Sequence, residues 1–165
     1  MSEVSEHDKK IESGGRYLCF TLGREKFAIP LLHVKEVIAN VETTSIPQSP
    51  AYFKGIMNLR GQVISVIDLL LKLKVEKGEP NNEKTIIILD FAPLCLGVVV
   101  DSVDSVVAFD SSAITNPPDV ESAVNHDFIK GIARTDKSLT VILDLKSALK
   151  AEDYKTIKNQ KQKVA

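Results

Sequence analysis

The 165-residue sequence predicts a mainly β protein: two similar small barrels packed together, with short helices between strands and a groove at their junction. Two observations carry that expectation. The first is an internal duplication. Lys54, Gly55, Ile56, Asp68, Leu69, Leu73 and Lys74 recur at one constant spacing as Lys130, Gly131, Ile132, Asp144, Leu145, Leu149 and Lys150. Between them Val63, Val66 and Ile67 meet Leu139, Ile142 and Leu143. Upstream the spacing is shorter. Tyr17 to Phe20 meet Ile86 to Leu89, Ala28 and Ile29 meet Gly97 and Val98, and Val34, Val37 and Ile38 meet Val103, Val106 and Val107. The extra residues fall in the polar stretch before Ile129, where loops absorb insertions. The second observation is a series of short runs dense in β-branched residues, separated by turn signals at the spacing of a small barrel.

In chain order, Met1 to Gly15 is polar and reads as a disordered lead-in. Tyr17 to Leu22 and the stretch from Phe27 are strands joined by the polar turn Gly23 to Lys26; Pro30, lacking an N–H, ends that ladder or puts it at an edge. Leu31 to Val41 fits either period. Its valine-rich equivalent, Val100 to Phe109, favours a short turn entering a strand. Glu42 to Pro50 is a connector stiffened by Pro47 and Pro50.

Phe53 to Leu73 then reads as strand, turn, strand, helix. Gly61 supplies the reversal, and Asp68 caps Leu69 to Leu73 by accepting from the free backbone N–H groups. Gly78 to Glu83 breaks the chain between the copies. In the second copy, Thr85 to Asp90 and Leu94 to Val100 are strands joined at Ala92-Pro93, and Asp110 to Asp127 is a long loop containing Pro117-Pro118. Phe128 to Arg134 and Leu139 to Leu143 form the second hairpin, Asp144 to Lys150 its helix, and residues 152–165 a C-terminal helix or tail expected to fray. The domain division is therefore a lead-in over 1–15, then one folded unit over 16–151. Its halves lie near 16–78 and 84–151, with room for strand exchange between them. Each half is near the lower size limit for a self-sufficient core, so the two are expected to lean on one another.

Composition narrows the function. Lys+Arg number 21 against 22 Asp+Glu, so no strong field draws in nucleic acid or an anionic membrane. A nucleic-acid-binding barrel also suits poorly a chain with six Phe, three Tyr and no Trp. No apolar leader opens the chain, and the most apolar region, Thr85 to Val100, is too short to span a bilayer. A soluble cytoplasmic protein is the expectation. Cys19 and Cys95 lie in apolar runs, as buried thiols of a reducing compartment do, with a single disulfide as the alternative.

A catalytic constellation is not expected. His7, His33 and His126 share no ligand spacing, and no phosphate loop, GxSxG elbow or HExxH is present, so neither a metal nor a cofactor is implied. Asp68 and Asp144 invite a paired-carboxylate reading, with Asp101 as a third acid. Helix capping accounts for both positions at once, and a solvated edge is the default for Asp101 and Asp104. Differences between the copies say more than likenesses, because the shared fold explains the likenesses. The tip Asn58-Leu59-Arg60-Gly61 meets Arg134-Thr135-Asp136-Lys137, so only the first copy sets an arginine beside a flexible glycine and an exposed-looking leucine. Arginine favours interfaces, although in a turn it is commonly just solvated. Glu36 meets Ser105, and with Leu31, Val34 and Val37 it forms an apolar strip with an acid at its rim, a pattern that core packing also produces.

Across about Tyr17 to Leu149 the sequence resembles the CheW family of chemotaxis coupling proteins. The resemblance is carried by Phe20-Thr21-Leu22-Gly23, Val34-Lys35-Glu36-Val37, Val66-Ile67-Asp68-Leu69, Gly97 to Asp101 and above all Phe53 to Gly61 (FKGIMNLRG). It implies a non-enzymatic adaptor of two SH3-like five-stranded barrels, monomeric when isolated, linking the cytoplasmic hairpin tip of chemoreceptors to the regulatory domain of the histidine kinase CheA. It would act in the cytoplasm, recruited to receptor arrays at the inner face of the membrane. By position the resemblance implies a receptor-binding surface of Leu31, Val34, Glu36, Asn58, Arg60, Gly61 and Ile86, and a kinase-binding surface of Val103, Val106 and Val107. The sequence departs from the family at Ser65, where a proline is common, so that strand is expected to pair differently. The relative with a fused receiver domain is disfavoured, since the residues after Lys150 are too few to hold one. The main alternative within the class is a coupling protein of a non-chemotactic receptor–kinase array; the alternative outside it is a carboxylate enzyme.

Overall fold

The computed structural model describes residues 15–80, 83–92, 94–116, 128–135 and 138–149. The expected lead-in, Pro93, the proline-containing part of the long loop, the tip residues Asp136 and Lys137 and the C-terminal helix or tail lie outside the described residues.

Among the described residues, eleven strands form two sheets. Strands β1 (Arg16–Leu22) and β2 (Glu25–Pro30) form the first hairpin, and one turn of 3₁₀ helix, Leu31–His33, leads into β3 (Val34–Ala39). The turn entering a strand that the valine content favoured is what forms. β4 (Phe53–Leu59) and β5 (Gln62–Asp68) make the next hairpin, closed by the short helix α1 (Leu69–Lys72). The second copy supplies β6 (Thr85–Phe91), β7 (Leu94–Val100), β8 (Ser102–Ala108), the short β9 (Ile114–Thr115), β10 (Ile129–Arg134), β11 (Leu139–Leu143) and α2 (Leu145–Ala148).

The sheets do not follow the copies. One has the order β8-β1-β2-β11-β10-β9, the other β3-β6-β7-β5-β4. Replacing each strand of the first by its repeat equivalent turns β8-β1-β2-β11-β10 into β3-β6-β7-β5-β4, so the exchange is reciprocal. Each sheet takes one hairpin from one copy and three strands from the other, and the six-stranded sheet adds the short β9 from the second copy. Gly78 to Glu83 therefore separates the copies in sequence, not the sheets in space. Of the joins between copies, β1 with β8 and β3 with β6 are antiparallel, and the other two are parallel at equivalent places: Val66 lies opposite Gly97, and Ile142 opposite Ala28. Bulges recur as well, at Lys35 in β3 and Asp104 in β8, bending both strands.

Each sheet closes through the chain that follows its bulged strand. After β3, Thr44 exchanges backbone hydrogen bonds with Ile56 at 2.8 and 2.9 Å. After β8, Ile114 and Thr115 pair with β10 in the same place. The closing segment runs so near β4 that a Cβ on Gly55, at φ +143°, would strike the Thr44 carbonyl. Its equivalent, Gly131, would set a Cβ 2.8 Å from the Ile114 side chain.

Three apolar cores result. Tyr17, Cys19, Ala28, Phe109, Ala133 and Ile142 fill the six-stranded barrel, and Met57, Ile64, Val66, Ile86, Ile88, Cys95 and Val99 the five-stranded one. The largest lies between them, where Leu18, Phe20, Leu22 and Ile29 meet Ile87, Leu89, Leu96 and Val98. Strands β6 and β7 thus bury both faces, which is why their sequence runs apolar without alternation. The expected groove at the junction is largely filled by this core, leaving half-buried Leu31 and Val34 at its rim. Ser65 is fully buried on β5, which pairs on both sides there, opposite Ile56 and opposite Leu96.

Both aspartates at the helix starts are N-caps. Asp68 Oδ1 accepts from the Leu71 N–H at 3.3 Å, and Asp144 Oδ1 from the Ser147 N–H at 3.2 Å. Asp68→Ala and Asp144→Ala are each expected to cost about 1 kcal/mol, and the Asn variants much less, because asparagine caps equally well. Urea unfolding of the four variants checks this; equal losses for Asn and Ala would show that the carboxylate charge, not the cap, matters.

Candidate functional site

The hairpin between β4 and β5 turns on two residues, Arg60 at φ 52° and Gly61 at φ 86°. Positive φ at both positions is what a two-residue type I′ turn requires, and Asn58 Oδ1 holds the turn by accepting from the Gly61 N–H at 2.8 Å. This fixes where the arginine starts. Its guanidinium donates to Glu36 Oε2 on β3 at 2.9 Å. Since β3 and β4 stand at opposite ends of the strand order, the ion pair spans the place where the barrel closes. Arg60's side chain is 74% exposed and Glu36's 22%. An exposed pair of this kind contributes about 0.2–1 kcal/mol, too little for the fold to depend on it. Its effect is to hold a cationic fork in one orientation at the surface.

The other residues expected with Arg60 divide. Asn58 and Gly61 are exposed at the same tip, and Leu31 and Val34 are half-buried where the 3₁₀ turn enters β3. Ile86 is corrected: its exposure is 0%, and it packs inside the five-stranded barrel with Val66 and Val99, so its side chain is no part of any surface. β6 is a central strand flanked by β3 and β7, and both faces of such a strand are covered. Sequence reasoning passed over Leu32, the most exposed large apolar residue described, at 69%. The signal was present, because Leu32 stands where the second copy has Asp101.

On β8, Val106 is 49% exposed, whereas Val103 packs on the central core and Val107 on the core of the six-stranded barrel. Only Val106 of the three turns a side chain outward. Its repeat equivalent on β3, Val37, is also exposed, so each barrel presents a valine at the same point of its bulged strand. Asp104 is exposed on β8 as expected, Asp101 is half-buried, and both also hold the other copy's first hairpin. Asp101 accepts from the Gly23 N–H at 2.6 Å and Asp104 from the Thr21 hydroxyl at 2.8 Å.

No group of three or more His, Cys, Asp or Glu gathers among the described residues in a way that would hold a metal. Cys19 and Cys95 lie in different barrels and form no disulfide, and burial, with Asp104 nearby, pushes the Cys19 thiol up against the opposing pull of Lys26. No helix of the described residues is long and apolar enough to cross a membrane. His33 sits at the crossover from β2 to β3, edge-on to Phe91 of the β6–β7 hairpin at 5.3 Å. His7 and His126 lie outside the described residues.

Fold and surfaces together define a double-barrel protein with an ion-paired hairpin tip on one barrel and an apolar strand edge on the other. The family model for the CheW-like domain matches residues 16–153. The chain belongs to this family, whose role in chemotaxis is that of a scaffold or adaptor. The chemotaxis protein CheW of Klebsiella aerogenes is 29% identical over 147 residues, covering 88% of each chain. That of Bacillus subtilis is 28% identical over 143 residues, covering 87% of this chain and 92% of its own. Among solved structures, the scaffolding protein TtCheW from Thermoanaerobacter tengcongensis superposes with a TM-score of 0.75 at 32% identity, covering 84% of this chain and 94% of that one.

Burial lowers the pKa of His33 below its ordinary value; Asp144 opposes the shift, and Lys130 and Lys146 add to it. The unfolded chain then binds the proton more tightly than the folded one. This contribution to stability is complete above about pH 6.5 and falls as pH drops from there towards the folded pKa. Urea midpoints measured from pH 7.5 to 5 are expected to fall more steeply for the natural chain than for His33→Gln, and parallel curves would contradict the assignment.

Proposed function

We propose that this protein is a non-enzymatic adaptor coupling transmembrane chemoreceptors to the histidine kinase CheA. The observation that carries the reading is the family match, which spans both barrels and includes the tip Asn58-Leu59-Arg60-Gly61. The receptor's helical hairpin tip docks along Leu31, Val34 and the Arg60–Glu36 pair, and Leu32 extends that surface. Apolar burial there drives binding at about 25 cal/mol per Å², while the charges at the rim set register and specificity. The kinase regulatory domain docks on the β8 face, with Val106 as the outward anchor and Val103 and Val107 shaping the strand beneath it. The protein acts as a monomer in the cytoplasm, recruited to arrays at the inner face of the membrane.

Two faces on one rigid body hold receptor and kinase in a fixed relation, so control of the kinase is a coupling free energy and involves no reaction on the adaptor. Reconstitution tests the whole reading. Kinase activity of CheA in receptor-containing membranes is expected to rise on adding this protein, and unchanged activity would refute the role.

Arg60→Glu places a like charge against Glu36 in an exposed turn. The variant is expected to unfold within about 1 kcal/mol of the natural protein yet to lose about tenfold or more in receptor association. Equal co-sedimentation with receptor membranes would remove Arg60 from the surface. Val106→Asp alters an outward side chain, so a folded variant with kinase affinity reduced by about tenfold, or about 1.4 kcal/mol, is expected. Titration of the CheA regulatory domain measures it, and undiminished affinity would move the kinase contact elsewhere.

A further inference from the structure

We infer that the two copies of the repeat are obligate partners of one another, and that the covalent link between them is dispensable for the assembled fold. The pairings that join hairpins into sheets, β1–β8, β2–β11, β3–β6 and β5–β7, all run between copies. Within the first copy the described strands pair as the hairpins β1–β2 and β4–β5, with the single bridge of Thr44 to Ile56 besides, and β3 finds its ladder on β6. An isolated hairpin is marginal in water, and a strand with neither neighbour is not a strand.

The central core is shared in the same way. Leu18, Phe20, Ile29 and Ile67 of one copy interleave with Ile87, Leu89, Val98 and Leu143 of the other. The side-chain tethers of the first hairpin's tip also come from across the divide: Asp101 to Gly23, and Asp104 to Thr21 and Lys26. Each copy thus presents a surface that only another copy of the repeat completes. The interface is two-fold in kind, because every crossing pairing has its equivalent in the other direction. Gly78 packs against Gly23, but beyond it Glu79 and Pro80 are exposed.

The test uses the full chain with a site-specific protease sequence inserted after Glu79. The uncut insertion protein is expected to fold, since lengthening a loop costs little entropy; failure to fold would count against a dispensable link. After cutting, the two pieces are expected to co-elute at the volume of the uncut protein. They are also expected to unfold in one urea transition whose midpoint rises with protein concentration, while that of the uncut chain does not. Pieces that part in native buffer, or a cut protein that unfolds in two concentration-independent steps, would overturn the inference. The second of those results would show each copy to be a self-contained barrel.

Discussion

The structure depends on strand pairing between the two copies. A repeat of roughly 65 residues is too small to bury an adequate core by itself. Here the shortage is met by trading hairpins: β1–β2 leaves its own copy to join β8 and β11, and β6–β7 leaves the second copy to join β3 and β5. The trade makes three cores where two separate barrels would have two. The third, between the sheets, collects Phe20, Leu22, Ile87, Leu89 and Leu96, all fully buried. Apolar burial of that extent fixes the barrels relative to one another, which an adaptor holding two proteins in register requires.

The same exchange places the two faces proposed for binding. β3, which carries Val34 and Glu36, belongs to the first copy but hangs on β6 of the second. β8, which carries Val106, belongs to the second copy but hangs on β1 of the first. Neither face is held by its own copy alone. The 3₁₀ turn Leu31–His33 carries the chain from one barrel to the other, and Asp101 stands at the equivalent crossing on the other side. Arg60 joins β3 for a local reason, since a two-residue turn at positive φ points its guanidinium at Glu36 across the barrel seam.

Much of this was legible in the chain. The duplication, the hairpin at Asn58 to Gly61 and both N-cap aspartates follow from residue type and spacing, which act over a few residues. The copy comparison singled out Arg60 and Glu36 because they differ from their equivalents Asp136 and Ser105, a difference the shared fold does not explain. Ile86 was carried over by position from the family resemblance, and position along a strand does not say whether a side chain is buried; here it is, at 0% exposure. The tethers made by Asp101 and Asp104 were not legible, because their partners, Gly23 and Thr21, lie far away in the chain.

The sequence by itself determined the strands, turns, caps and repeat, and through its motifs the family, because those are written in local periodicity and in residues whose backbone preferences are strong. Only the tertiary structure decided which hairpin joins which sheet. Both copies carry nearly the same pattern, so a hairpin fits its own copy's strands and the other's almost equally well in local terms. The choice falls to the shared central core, which buries apolar surface from both copies and forms only when the hairpins cross.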